Sequence, residues 1–328
     1  MKKLLSIVLT IVITGALLTG CTKKTETPEP EVAQTPIKVA VMTGPTGMGM
    51  VKLMDDNESK TSLNPYNFYI AGTPDEIVAN IVKGDLDVAA VPANLASVLY
   101  NKTQGTISVA AINTLGVLYI VETGDSIKSI ADLKGKTIYS TGKGATPEYA
   151  LNYILSSNGI DPQTDVTIEY KSEAAEVAAI LATSQDAVAL LPEPYVTAVK
   201  AKNDKLKAQI SLGDEWKKIN GEELVTGVIV VRNEFLENNE GAFKTFLAEY
   251  KASTEFVNSD LEKASQLVGK YEIVPAPIAK TAIPNANITF LDGENMMKNL
   301  GAYLQILFDQ NPKSIGGKMP EADFYYMG

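Results

Sequence analysis

The sequence predicts an α/β protein of two lobes with mainly parallel sheets and a cleft between them. Three observations lead there. From Ile37 onward, short apolar runs alternate with longer helix-period stretches, which is the grammar of βαβ units. The 328-residue chain is longer than one hydrophobic core usually organises. An aspartate, an apolar strand and a proline occur in succession twice, at Asp87 to Pro92 and at Asp186 to Pro192.

The chain opens with an export signal. Lys2 and Lys3 form a positive n-region, Leu4 to Leu18 an apolar run short for a membrane span, and Leu18-Thr19-Gly20-Cys21 a small-residue processing site. These four residues have the form of a lipobox. Residues 1–20 are therefore expected to be removed and Cys21 to carry acyl chains of the palmitate type, each buried methylene adding roughly 0.8 kcal/mol of membrane attachment. Residues 21–36 are polar and proline-rich without hydrophobic periodicity, which predicts an extended tether.

Composition narrows the chemistry. Cys21 is the only cysteine, so no disulfide framework exists and no thiol remains for catalysis once it is acylated. The chain has no histidine, which removes Ser-His-Asp and Cys-His catalysis and His-ligated metal sites. The net charge of −10 becomes more negative when Lys2 and Lys3 leave, a sign that repels nucleic-acid backbones. Arginine occurs once, at Arg232, so the guanidinium fork that suits oxyanions is available at most once. No cofactor and no metal are expected.

Lobe one is predicted over 37–122 and 228–328. Ile37 to Met42 reads as a buried strand, followed by a glycine-rich turn and a helix through Leu53 and Met54. Tyr66 to Ile70 reads as the next strand and Pro74 to Lys83 as a helix with proline at its first position and Asp75 and Glu76 in its first turn. Asp87 to Val91 gives a third strand and Pro92-Ala93-Asn94 opens a third helix. Ile107 to Asn113 and Leu115 to Glu122 continue this lobe as strands. Lobe two, over 123–227, repeats the pattern: strands at Ile138, Val166 to Tyr170 and Ala187 to Leu190, with helices from Pro147, Glu173 and Pro192. The outgoing hinge is placed near Val121 to Gly124 and the return near Val225 to Val228. Helices over Gly241 to Asn258, Leu261 to Tyr271 and Glu294 to Phe308 would pack on lobe one.

In open α/β sheets, ligands bind beyond the carboxyl ends of the strands, where helix N-termini present free N–H groups. The glycine-rich and proline-led turns of both lobes fall at that edge. Two such edges facing each other make a cleft.

The lipobox and tether, Gly84-Asp85-Leu86-Asp87-Val88-Ala89-Ala90, Ala131-Asp132-Leu133-Lys134-Gly135-Lys136 and Pro192-Glu193-Pro194-Tyr195 together resemble the solute-binding proteins of nitrate, sulfonate, taurine and thiamine-precursor ABC importers. The resemblance covers essentially the whole mature chain. It implies a type II periplasmic-binding-protein fold and a lipid-anchored, monomeric receptor on the extracytoplasmic face of the membrane. Its partners would be a small organic solute and the permease and ATPase subunits of an importer. The alternatives are a ligand sensor or surface adhesin on the same fold, or an enzyme of the pyrimidine-precursor or chorismate-lyase type.

The candidate site is built turn by turn. Thr43, Gly44, Thr46, Gly47 and Met48 lie between the first strand and helix, where glycines allow close backbone approach. Gly72, Thr73, Pro92, Ala93, Asn94, Asn113 and Thr114 occupy the same edge, with helix capping as the alternative role for Thr and Asn. In lobe two, Thr141, Gly142, Lys143, Gly144, Ala145 and Thr146 form a second glycine-rich turn in which Lys143 offers a positive charge or is an ordinary exposed turn residue. Glu193 would favour a ligand with donors or positive charge, or complement a helix dipole; Tyr195 offers a stacking face. Thr226 lies at the return. Met42, Met48, Met50 and Met54 read as adaptable core filling.

Overall fold

A computed structural model describes residues 36–328; the expected signal peptide, Cys21 and the tether up to residue 35 lie outside the described residues. Strand β1 (Ile37–Met42) leads through the short α1 (Pro45–Met48) into α2 (Val51–Glu58). The unit repeats as β2 (Tyr66–Ala71), α3 (Pro74–Lys83), β3 (Val88–Pro92), α4 (Ala93–Lys102) and β4 (Ile107–Thr114). The chain then crosses to a second sheet through β5 (Leu118–Glu122), β6 (Thr137–Ser140), α5 (Thr146–Ser157), β7 (Thr167–Tyr170), α6 (Ala174–Thr183), β8 (Val188–Pro192), α7 (Tyr195–Lys200), β9 (Lys207–Ser211) and α8 (Leu212–Asn220). It returns with β10 (Gly227–Arg232) and finishes as α9 (Asn233–Ser259), α10 (Leu261–Lys270), α11 (Ala276–Ala282), β11 (Ile288–Leu291) and α12 (Gly293–Gln310).

Local chemistry explains these units. Helix α3 has Pro74 at its start, Asp75 and Glu76 in the first turn, buried Ile77 and Ile81 one turn apart, and Gly84 in the left-handed region at its end. Strands β3, β4 and β10 are buried along almost their whole length, as central strands covered on both faces must be. Edge strand β7 has no fully buried residue.

The strand orders are β11-β4-β10-β3-β1-β2 and β7-β6-β8-β5-β9. In both sheets a parallel trio, β2-β1-β3 and β7-β6-β8, continues into an antiparallel strand, β10 and β5 respectively. The repeated aspartate-strand-proline segments, β3 and β8, thus hold the same place in the two sheets.

The expected two-lobed α/β fold is found: most strands of each sheet run toward the cleft, and β10 and β11 in the first sheet and β5 in the second run against them. The lobe boundary is corrected. The segment Leu115 to Glu122 does not continue lobe one: Leu118–Glu122 pairs with β8 and β9, so the crossing lies at 115–117, upstream of Val121 to Gly124. Helix α12 also reaches beyond lobe one, since Tyr303 meets Thr146 of α5 at 2.9 Å and the Trp216 ring of α8 at 5.6 Å between centroids.

Candidate functional site

A cavity of about 220 Å³ lies where the carboxyl ends of both parallel trios meet. Lobe one supplies the end of β1 with Thr43, Gly44 and Thr46, the β2 exit at Gly72 and Thr73, and the β3 exit at Pro92. Lobe two supplies Thr141, Gly142, Ala145 and Thr146 after β6, and Glu193 and Tyr195 after β8. Both crossings border it, through Thr114, Val117 and Leu118 on the way out and Thr226 and Gly227 on the way back. A cavity of this size corresponds to roughly seven water volumes, the scale of a compact metabolite.

Other expected positions do not face the cavity. Met48 is fully buried in the core beside Val51, and a Cβ at Gly47 would stand 2.7 Å from the Met42 carbonyl. Ala93 is buried at the start of α4. Asn94 is fully buried and turns its amide to the carbonyls of Gly144 and Ser314, each at 3.1 Å. Asn113 is fully buried behind the wall, its Oδ1 accepting the Thr114 hydroxyl at 3.2 Å. Lys143 and Gly144 miss the wall; the Lys143 ammonium stands 5.9 Å from the Tyr170 ring centroid. Of the methionine cluster, Met48, Met50 and Met54 are core, while Met42 reaches the cavity.

The wall also contains residues that the sequence reading passed over: Pro45, Pro74, Val91, Val117, Leu118, Pro147, Ser172, Glu173 and Pro192 among them. The signal for Ser172 and Glu173 was present, because the β7 exit occupies the place in its sheet that Gly72 and Thr73 occupy in the other. Glu173 stands across from that turn: a Cβ at Gly72 would lie 3.6 Å from its Oε1.

Glu193 is the deepest ionisable group of the wall, with 4% of its surface exposed. It follows β8 and precedes α7, joined to Pro194 by a cis peptide bond. Its carboxylate accepts the Thr197 backbone N–H at 3.1 Å and the Thr197 hydroxyl at 3.0 Å. Burial pushes its carboxyl above the ordinary range, against the pull of these two donors and of Lys200.

The single arginine lies at the opposite end of β10 from the wall residue Gly227, roughly 17 Å along the strand. Arg232 donates to the Leu86 carbonyl at 2.8 Å and pairs with Asp87 at 3.2 Å and Glu234 at 2.8 Å. It ties β3 to β10 away from the cavity. Arg232→Gln is expected to lower unfolding stability by about 1–3 kcal/mol while leaving ligand affinity within twofold. Urea unfolding and titration of the same preparation check both; an affinity loss above about tenfold would place Arg232 in the binding machinery.

Two α/β lobes whose strand ends enclose a cavity make up the type II periplasmic-binding-protein fold. The sequence model of a menaquinone-biosynthesis family matches residues 49–298, and the chain belongs to that family. Solved structures share the fold. An ABC transporter protein from Parabacteroides distasonis aligns with TM-score 0.74 and 21% identity over 89% of this chain and 99% of its own. The alkanesulfonate-binding protein of Xanthomonas axonopodis pv. citri, bound to MOPS, aligns with TM-score 0.69 and 12% identity over 85% and 94%. The periplasmic nitrate-binding protein of Synechocystis PCC 6803 aligns with TM-score 0.63 and 13% identity over 85% and 82%. A search of curated proteins returns no match.

Proposed function

We propose that this protein is an extracytoplasmic receptor that closes on a small organic solute and presents it to an ABC import permease and its ATPase. The observation that carries the reading is the cavity between the strand ends of two sheets, bordered by both crossings of the chain. The segments 115–117 and 221–226 would act as the hinge, and a ligand touching both lobes would shift an open population to a closed one. Lipidation at Cys21, with residues 22–36 as a spacer, would hold a monomeric receptor at the membrane face. No helix among the described residues is long and apolar enough to cross a membrane, so attachment in this reading rests on the lipid.

The family match favours a second reading, an enzyme of menaquinone biosynthesis. Two features support the receptor over it. The chain has no histidine to act as a neutral-pH base, and the ionisable side chains of the wall are two glutamates and one tyrosine. A thermal-shift screen of small metabolites with product analysis separates the readings. A receptor ligand at a hundredfold excess over its Kd adds about 2.7 kcal/mol of stability and is recovered unchanged. Conversion of a bound compound at a rate that depends on Glu193 would establish the enzyme instead.

A further inference from the structure

The polar groups of the cavity are strongly unbalanced between acceptors and donors. Among the described residues, its charged side chains are Glu173 and Glu193, both acidic. The hydroxyl donors of Thr46, Thr114 and Thr226 are engaged inside the protein, by the Met42 carbonyl at 3.2 Å, Asn113 Oδ1 at 3.2 Å and the Leu115 carbonyl at 2.7 Å. The Thr146 hydroxyl is held by Tyr303. Helix starts, the usual oxyanion seats, are blunted as well. Helices α1, α3 and α5 carry Pro45, Pro74 and Pro147 in their first two positions, which removes an N–H from each, and α6 begins on the carboxylate-bearing Glu173. Among the described residues, the wall hydroxyls without a protein partner are those of Thr43, Thr141, Ser172 and Tyr195, four neutral groups and no cation.

Glu193 is the counterpart of that shortage. Each carboxylate oxygen takes one neutral donor from Thr197, fewer than it can accept, and the residue lines the cavity. Lys200, the cation that acts on it, is exposed at the far end of α7 and does not hydrogen-bond to it. A buried carboxylate served by neutral donors alone carries an uncompensated desolvation cost. A positive group entering the cavity offsets that cost, whereas a nitrate or sulfonate would meet two carboxylates and no cation.

We propose that the cleft takes a compact organic cation, its positive nitrogen seated against Glu193, and that it excludes small oxyanions. The inference rests on the receptor reading above and adds the charge of the solute. Glu193 makes the deep contact, and Glu173, exposed at the rim, draws cations toward the mouth.

The test is calorimetric titration of the full chain, freed of co-purified ligand, with two sets of probes. The first is tetramethylammonium, choline, agmatine and imidazolium chlorides; the second is sodium nitrate, methanesulfonate and ethanesulfonate. At least one cation is expected to bind saturably, and Glu193→Gln should weaken it by about tenfold or more. Glu173→Gln changes an exposed residue, leaves the fold intact and should weaken the same cation by about two- to fivefold at low salt, less at high salt. Saturable binding of an oxyanion that Glu193→Gln leaves unchanged or tightens would overturn the inference and leave the receptor reading standing. Binding of neither set by folded protein would overturn the inference alone, the receptor reading being decided by the metabolite screen with product analysis.

Discussion

Trp216→Ala is expected to remove about 3–5 kcal/mol of unfolding stability, the range for deleting a fully buried large aromatic. Trp216 is the only tryptophan and is fully buried on α8. Its ring stands 4.9 Å from Tyr153 of α5 and 5.6 Å from Tyr303 of α12, so one side chain joins three helices. Both neighbours are anchored in turn. The Tyr153 hydroxyl donates to Asn220 at 2.5 Å, and Tyr303 pairs with Thr146 of the cavity wall at 2.9 Å. The truncation therefore loosens the support of the wall as well as the core. Among the described residues the indole N–H has no hydrogen-bond partner, so Trp216→Phe forfeits packing but no bond and should cost only about 1.5 kcal/mol. Urea unfolding followed by far-ultraviolet circular dichroism checks both. A loss below about 1.5 kcal/mol for the alanine variant would mean that the surrounding rings collapse into the space.

Gly116→Ala is expected to cost about 1–3 kcal/mol and to weaken ligand binding, because no room exists for its methyl group. A Cβ there would stand 2.6 Å from the Gly213 Cα and 3.3 Å from its nitrogen, and both partners are backbone. Gly116 lies in the outgoing crossing and Gly213 in the first turn of α8, so the clash must separate the crossing from the helix packed on β5. Asn287 also donates to the Gly116 carbonyl, which ties the crossing to the segment before β11. The reverse substitution is milder: a Cβ at Gly213 would stand 3.2 Å from the Gly116 Cα, so Gly213→Ala should cost less. Denaturation midpoints and ligand titrations of the two variants check the order. Equal midpoints would show that the crossing yields without strain.

Much of the fold is legible in the chain because its determinants are local. Pro74, the acidic first turn and Gly84 bracket α3 within the sequence itself, and the apolar runs of β1, β3, β8 and β10 announce buried strands. Where local text is ambiguous, elements went unread. Strand β9 is a short run of mixed polarity, and α8 contains a single tryptophan and one leucine among its buried residues. The turns at the carboxyl ends of β1, β2, β6 and β8 follow from the βαβ pattern, which directs every such strand toward one edge.

By itself, then, the sequence determines the alternation of strands and helices, the duplication of the unit in two lobes and the edge at which the cavity opens. These depend on backbone preferences and hydrophobic periods acting over a few residues. The tertiary structure alone decides the direction of β5, the internal engagement of Asn94, the place of Arg232 far from the cavity and the arrival of Glu173 opposite Gly72. Each of these is set by a partner distant in the chain: Asn94 bonds a carbonyl 220 residues away, and Arg232 an aspartate 145 residues away. A side chain's role depends on which distant group satisfies its polarity, and folding brings that group within reach.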